Sequence, residues 1–194
     1  MNKFLAQFIS TVLNPIVILA VLPFVLVYKA TGETSSGIFW TFFSWIFILI
    51  FALFFFIGLE KKYFTNIDVS IRKQRPLLYS FSIGLSVIYA FFLNYFKAPE
   101  ILFIALFGLI MGLVVMELVN RITKASVHVA TLSAFVTALA LGYGPVFILS
   151  FMLIPLLSWA RIVTHNHTRR QVVIGATMGI LVTLVVYVIF RYIV

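Results

Sequence analysis

The stretch from Ile38 to Leu59 carries no charged residue, and that run constrains the fold more than any other feature. A hydrocarbon core of roughly 30 Å is crossed by about 20 helical residues, and this run is long enough. Its backbone polar groups could be satisfied in lipid only by a helix or a closed barrel. Barrel strands alternate apolar with polar residues, and this run does not. Its many phenylalanines therefore read as lipid-facing or packing residues of a helix rather than as a ligand cage.

Comparable runs recur. They cover about residues 8–28, 77–96, 101–116 and 171–190, and residues 127–159 form a further stretch without full charge. That last stretch is too long for one comfortable span, and Gly142-Tyr143-Gly144-Pro145 divides it with strong turn signals into two short helices. The expected architecture is all-α, a polytopic transmembrane helix bundle of six or seven spans making one integral membrane domain over residues 1–194. Asn14-Pro15 falls inside the first run, where a proline either kinks a helix or starts one. Gly175 and Gly179, four residues apart in the last, permit close helix packing.

Composition agrees. With 63% hydrophobic and 10% charged residues, too little polar surface exists to cover a soluble globule. No linker or low-complexity segment interrupts the chain. Absence of cysteine rules out disulfides, thiolate metal ligands and a cysteine nucleophile. The first apolar run is too long for a signal peptide's apolar region, and no small-residue cleavage site follows it. A net charge of +9 would suit a nucleic-acid partner, but the cations lie at membrane ends and nothing resembles a groove-reading module.

Polarity is concentrated in three connections, 60–76, 117–128 and 161–170. Seven spans would put all three on one membrane face together with 11 of the 14 lysines and arginines, leaving Lys29, Lys97 and Arg191 opposite. By the positive-inside rule that face is cytoplasmic, and the chain is expected in the cell membrane. Helical geometry over Asp68–Arg75 would set Asp68, Arg72 and Arg75 on one face, two guanidiniums steadied by one carboxylate, with Pro76 in the first turn of the next span. Arg121, Lys124 and His128 stand at helical spacings, so one helix end could present all three to one cavity. The third connection reads Arg161-Ile-Val-Thr-His165-Asn-His167-Thr-Arg169-Arg170, two histidines among three arginines. Short cationic links bearing histidine suit anion chemistry. Taken singly, each also reads as an ordinary topological charge cluster with a structural histidine.

In order, these links resemble the three signature motifs of the type 2 phosphatidic acid phosphatase superfamily. The family's first motif is a lysine, six residues and Arg-Pro; Arg75-Pro76 matches, with Asp68 in the lysine position. The second, Pro-Ser-Gly-His, is similar to Ala125-Ser126-Val127-His128. The third is Ser-Arg, five residues, histidine, three residues and aspartate; Arg161 and His167 have that spacing, while Ala160 replaces the serine and Gln171 the aspartate. The likeness covers about residues 68–190.

The resemblance implies a core of that family's kind and hydrolysis of a phosphomonoester or diphosphate through a phosphohistidine, with no metal or other cofactor. It makes His167 the nucleophile and His128 the proton donor to the leaving oxygen. Arg75 and Arg161 would bind phosphate, with Ser126 as a further donor; Arg72 and Lys124 join this clamp from helical spacing alone. The family's aspartate orients its nucleophilic histidine, so Asp68, Glu117 or Gln171, the last as a neutral acceptor, would have to do so here. His165 is the rival nucleophile. With no soluble domain to hold a water-soluble compound, the expected partner is an amphiphilic phosphate-bearing lipid or isoprenoid diphosphate met at the bilayer surface; the oligomeric state is not specified.

Two other readings stand beside it. One is a phosphate- or lipid-binding membrane protein or transporter whose histidines only bind. The other follows from Asp68–Pro76, which also looks like a fragment of the UbiA-type intramembrane prenyltransferases. Those need two aspartate-rich magnesium sites, and this chain has one aspartate in all.

Overall fold

The structure is a computed structural model that describes residues 2–192. Every regular element among the described residues is helical: α1 (Lys3–Val12), α2 (Pro15–Thr31), α3 (Thr34–Glu60), α4 (Arg75–Tyr95), α5 (Glu100–Ile122), α6 (Val127–Tyr143), α7 (Leu153–Val163) and α8 (Arg169–Tyr192). Short 3-10 segments, Arg72–Gln74 and Pro145–Met152, lead into α4 and α7. Six stretches are long and apolar enough to cross a membrane: Lys3–Thr31, Thr34–Glu60, Arg72–Tyr95, Glu100–Ile122, Pro145–Val163 and Arg169–Arg191. The apolar α6 is shorter, at 17 residues. The chain is a polytopic helical membrane protein.

The boundaries differ from the sequence reading in three places that matter for function. First, the run 8–28 is not one helix: of the two roles open to the proline of Asn14-Pro15, it starts a helix rather than kinking one. The Asn14 Oδ1 accepts from the Ile16 N–H at 2.9 Å, and Pro15, which has no N–H to offer a preceding turn, opens α2.

Second, residues 68–75 do not form one α-helix: only the 3-10 turn Arg72–Gln74 precedes α4, so Asp68, Arg72 and Arg75 do not share a helix face. A helix running through them would put Pro76 in its interior and lose a bond to the Arg72 carbonyl. Instead Asn66 Oδ1 accepts from Ser70 N at 3.0 Å, Val69 adopts a left-handed backbone, and α4 begins only at Arg75. Pro76 does lie in the first turn of α4, as expected.

Third, α5 stops at Ile122, and 124–126 is a non-helical link. Arg121 and His128 therefore belong to different helices, and the expected single face of Arg121, Lys124 and His128 does not form. Ser126 caps α6 in extended conformation, its side chain accepting from Val129 N at 3.5 Å, which is why the helix restarts there.

The helices gather into two compact units, residues 2–18 with 118–192, and residues 19–117. In the first, α6 and α8 are packed backbone to backbone. A side-chain carbon at Gly175 would collide with the Ser126 carbonyl oxygen, and one at Gly179 with that of Ala130. With lipid as solvent, such close approach is a principal source of helix association. Around this pair Ile18, Val129, Leu132, Val136, Leu157 and Val172 form the apolar core, and α1 packs on α7.

The second unit is built on rings. The Phe54 and Phe81 rings stack with centroids 3.6 Å apart, and Phe47 meets Tyr89 at 4.7 Å. The link after α3 folds back so that Phe64, only 1% exposed, fills the space over Gly58. Several polar groups inside this unit are hydrogen-bonded within or between its helices, as lipid favours. The Trp45 indole donates to the Ala20 carbonyl at 2.9 Å, and Ser44 Oγ lies 2.6 Å from the Trp40 carbonyl and 2.7 Å from the Tyr89 hydroxyl.

Candidate functional site

Arg161 sits in the last turn of α7 with its side chain 3% exposed, and its Nη1 donates to Ser10 Oγ on α1 at 2.8 Å. Just beyond, α7 ends and the chain doubles back. The Arg161 carbonyl accepts from both Asn166 N and His167 N, each at 3.2 Å, and His165 takes the left-handed conformation that this turn needs, at φ 58°. The result separates the two histidines of the link. His165 is exposed at the outside of the turn, whereas His167 is buried.

The start of α8 then determines the state of His167. Thr168 and Gln171 form a reciprocal capping box: Thr168 Oγ1 accepts from Gln171 N at 3.4 Å, and Gln171 Oε1 accepts from Thr168 N at 3.2 Å. A backbone N–H can only donate, so the atom facing it is the amide oxygen of Gln171. The same oxygen lies 3.1 Å from His167 Nδ1. His167 must therefore donate there, which puts a proton on Nδ1; in the neutral ring the lone pair is then on Nε2. Gln171 thus supplies a neutral acceptor to the imidazole four residues before it.

The link 124–128 is stitched to the same segment. Ser126 N donates to the Gln171 carbonyl at 3.1 Å, and Lys124 Nζ donates to the Asn166 carbonyl at 3.2 Å. Gly175 makes the first of these possible, because one turn beyond Gln171 any side chain would meet the Ser126 backbone. Ser126 is fully buried, with its oxygen turned to the helix cap. His128, in the first turn of α6, is half-buried, and its Nε2 lies 3.3 Å from Asn14 Nδ2.

So the second and third polar links, with His128, His167, Arg161, Lys124, Ser126 and Gln171, lie in one unit and are joined directly. Arg75, Arg72, Asp68 and Glu117 belong to the other. There Arg75 is 3% exposed, donates through Nε to the Val69 carbonyl at 3.1 Å and hydrogen-bonds the Tyr79 hydroxyl. Glu117 is close enough to Tyr79 to interact electrostatically, and Arg72 is exposed.

Ser10 on α1 and Asn14 in the break after it touch Arg161 and His128, and the sequence reading did not include them as site residues. Spacing four apart was visible, but both look like routine small polar residues near a helix end. The capping box Thr168-Arg-Arg-Gln171 was legible, and would have fixed both the start of α8 and the role of Gln171.

Chemically, this assembly offers an imidazole protonated at Nδ1, a second imidazole, a buried guanidinium and a lysine. No group of three or more His, Cys, Asp or Glu side chains among the described residues could hold a metal ion. No protein-family model, curated protein or solved structure matches the chain.

Proposed function

We propose that this protein is a membrane-embedded phosphohydrolase acting on a lipid phosphate or isoprenoid diphosphate, with His167 as the nucleophile. One observation carries the reading: the capping box pins the Gln171 amide, and the amide holds His167 as the Nδ1–H tautomer. An imidazole in that state presents Nε2 as a nucleophile near neutral pH without an added base.

In the reaction, Nε2 of His167 attacks phosphorus and the bond to the leaving oxygen breaks. His128, protonated in the substrate complex, gives that oxygen its proton. Water then attacks the phosphohistidine and passes its proton to His128, the N–P bond breaks, and phosphate departs. Arg161 and Lys124 neutralise the phosphoryl oxygens, with the guanidinium suited to bidentate contact. A substrate with an apolar tail suits a chain that is almost wholly membrane helix, and the excess of lysine and arginine in the polar links supports a reading in which they face the cytoplasm at the cell membrane.

The test is phosphate release by purified protein in detergent from phosphatidate and from a prenyl diphosphate, with and without chelator. Release should survive chelation and a radiolabelled, acid-labile phosphoenzyme should be trapped. His167→Ala should abolish both, while His165→Ala keeps most activity. Equal loss from the two would mean the nucleophile is misassigned, and transfer of the prenyl group dependent on magnesium would favour a prenyltransferase.

A second reading has an observation of its own. Arg161 and His128 already bond to Ser10 and Asn14, as they would in a protein that holds a phosphate lipid without turning it over. Saturable binding of phosphatidate with no release of phosphate would establish that reading instead.

A further inference from the structure

Asn14 lies against the second imidazole of the site. Its Oδ1 accepts from the Ile16 N–H at 2.9 Å, a backbone donor, so the atom 3.3 Å from His128 Nε2 is the amide nitrogen. An amide N–H donates, and Nε2 accepts. In the neutral ring this contact leaves the proton of His128 on Nδ1. The two imidazoles of the site are set by two side-chain amides of opposite polarity, Gln171 offering oxygen to one ring and Asn14 offering nitrogen to the other.

We infer that Asn14 is a positioning residue for His128: it fixes Nε2 as the nitrogen that exchanges the proton and stabilises the ring once that proton has left. This rests on the hydrolase reading. In the substrate complex His128 carries protons on both nitrogens. When the P–O bond breaks, the Nε2 proton passes to the leaving oxygen, and the Asn14 N–H takes up the vacated lone pair. When water later attacks the phosphohistidine, Nε2 takes its proton and the Asn14 contact is released. Nδ1 keeps its proton throughout. The break between α1 and α2 is what makes this possible, since a continuous helix would use neither the Asn14 side chain as a cap nor its amide as a donor to α6.

The test uses two variants that preserve the cap on Ile16 and remove the donor. Serine and aspartate both cap helices well. In Asn14→Ser the side chain is too short to reach His128, and in Asn14→Asp the shape is kept but no N–H remains. Two readouts separate positioning from structural support. The first is the 15N spectrum of the imidazoles, at a pH where they are neutral, with His128 assigned by its loss in His128→Gln. Wild type should show His128 as Nδ1–H, Asn14→Ser a mixture, and Asn14→Asp the Nε2–H form.

The second readout is the leaving group. An alkyl phosphate needs a proton on its departing oxygen and an aryl phosphate scarcely does. Asn14→Ser should lower kcat for phosphatidate by about tenfold or more, the scale of impaired proton transfer, while p-nitrophenyl phosphate changes by less than about twofold. A wild-type His128 in the Nε2–H form overturns the inference, and so does an equal loss on both substrates with the tautomer unchanged. If wild type releases no phosphate from any substrate, the hydrolase reading falls, and the spectrum alone decides whether Asn14 sets the ring.

Discussion

The two units solve the same problem, holding helices together in lipid, by opposite means. Residues 19–117 use large rings, with Phe43, Phe47 and Tyr89 in one cluster and Phe54, Phe55, Phe64 and Phe81 in another. Residues 2–18 and 118–192 use small ones, with Gly175 and Gly179 laid against the backbone of Ser126 and Ala130. Rings fill space at a distance and leave each backbone to itself. Glycine contact brings backbone to backbone, so that the carbonyl of Gln171 can receive the N–H of Ser126 and the ends of α6 and α8 are joined. All three histidines lie in the unit packed this way. Precise placement of polar side chains comes with close backbone packing, whereas aromatic packing supplies bulk and cohesion.

The largest effect expected from this contrast is at Gln171, where cap and ring orientation meet. Gln171→Ala should lower kcat on the order of 10²-fold with little change in KM, since the wrong tautomer withdraws the nucleophile's lone pair. Gln171→Glu keeps an acceptor for both Thr168 N and His167 Nδ1 and should keep most activity. Loss of equal size in both variants, measured as initial rates of phosphate release, would detach the tautomer from function.

Next is the helix contact. Gly175→Ala puts a methyl group onto the Ser126 carbonyl, and overpacking of that kind should cost about 1–3 kcal/mol. Gly84, on α4 in the ring-packed unit, has nothing within 4 Å of the same added carbon. Gly84→Ala should stabilise by up to about 1 kcal/mol, by removing helical glycine. Thermal unfolding in one detergent compares the pair, and a stabilised Gly175→Ala would mean that α6 and α8 do not meet as closely as described.

How far the sequence reveals this molecule depends on which forces set each part. The spans were legible because lipid admits so few structures: an uncharged run such as Ile38–Leu59 has hardly any alternative to a helix. Gly175 and Gly179 were legible as a packing face for the same reason. The polar links were less so. Asp68, Arg72 and Arg75 have perfect helical spacing, yet the local bonds of Asn66 and Ser70 and the interior cost of Pro76 outweigh it. Arg121, Lys124 and His128 likewise lose their common face to the cap at Ser126. Ser10 and Asn14 were not legible as site residues, since their partners lie more than a hundred residues away and no local pattern marks a long-range contact.

The smallest predicted effect tests the comparison from its quiet side. In the ring-packed unit the best candidate for a polar linchpin is the contact between Tyr89 and Ser44. If the Ser44 hydroxyl donates to the Trp40 carbonyl, the Tyr89 hydroxyl must be the donor to Ser44 Oγ. Tyr89→Phe then removes one donor and leaves Ser44 still bonded within its own helix, so no buried group is orphaned. Interhelical hydrogen bonds in membranes average well under the cost of an orphan, and the loss should be about 0.5–1 kcal/mol with phosphate release unchanged. A large fall in turnover at full stability would show that this unit contributes chemistry as well as bulk, and the division of labour drawn from the two packing styles would not hold.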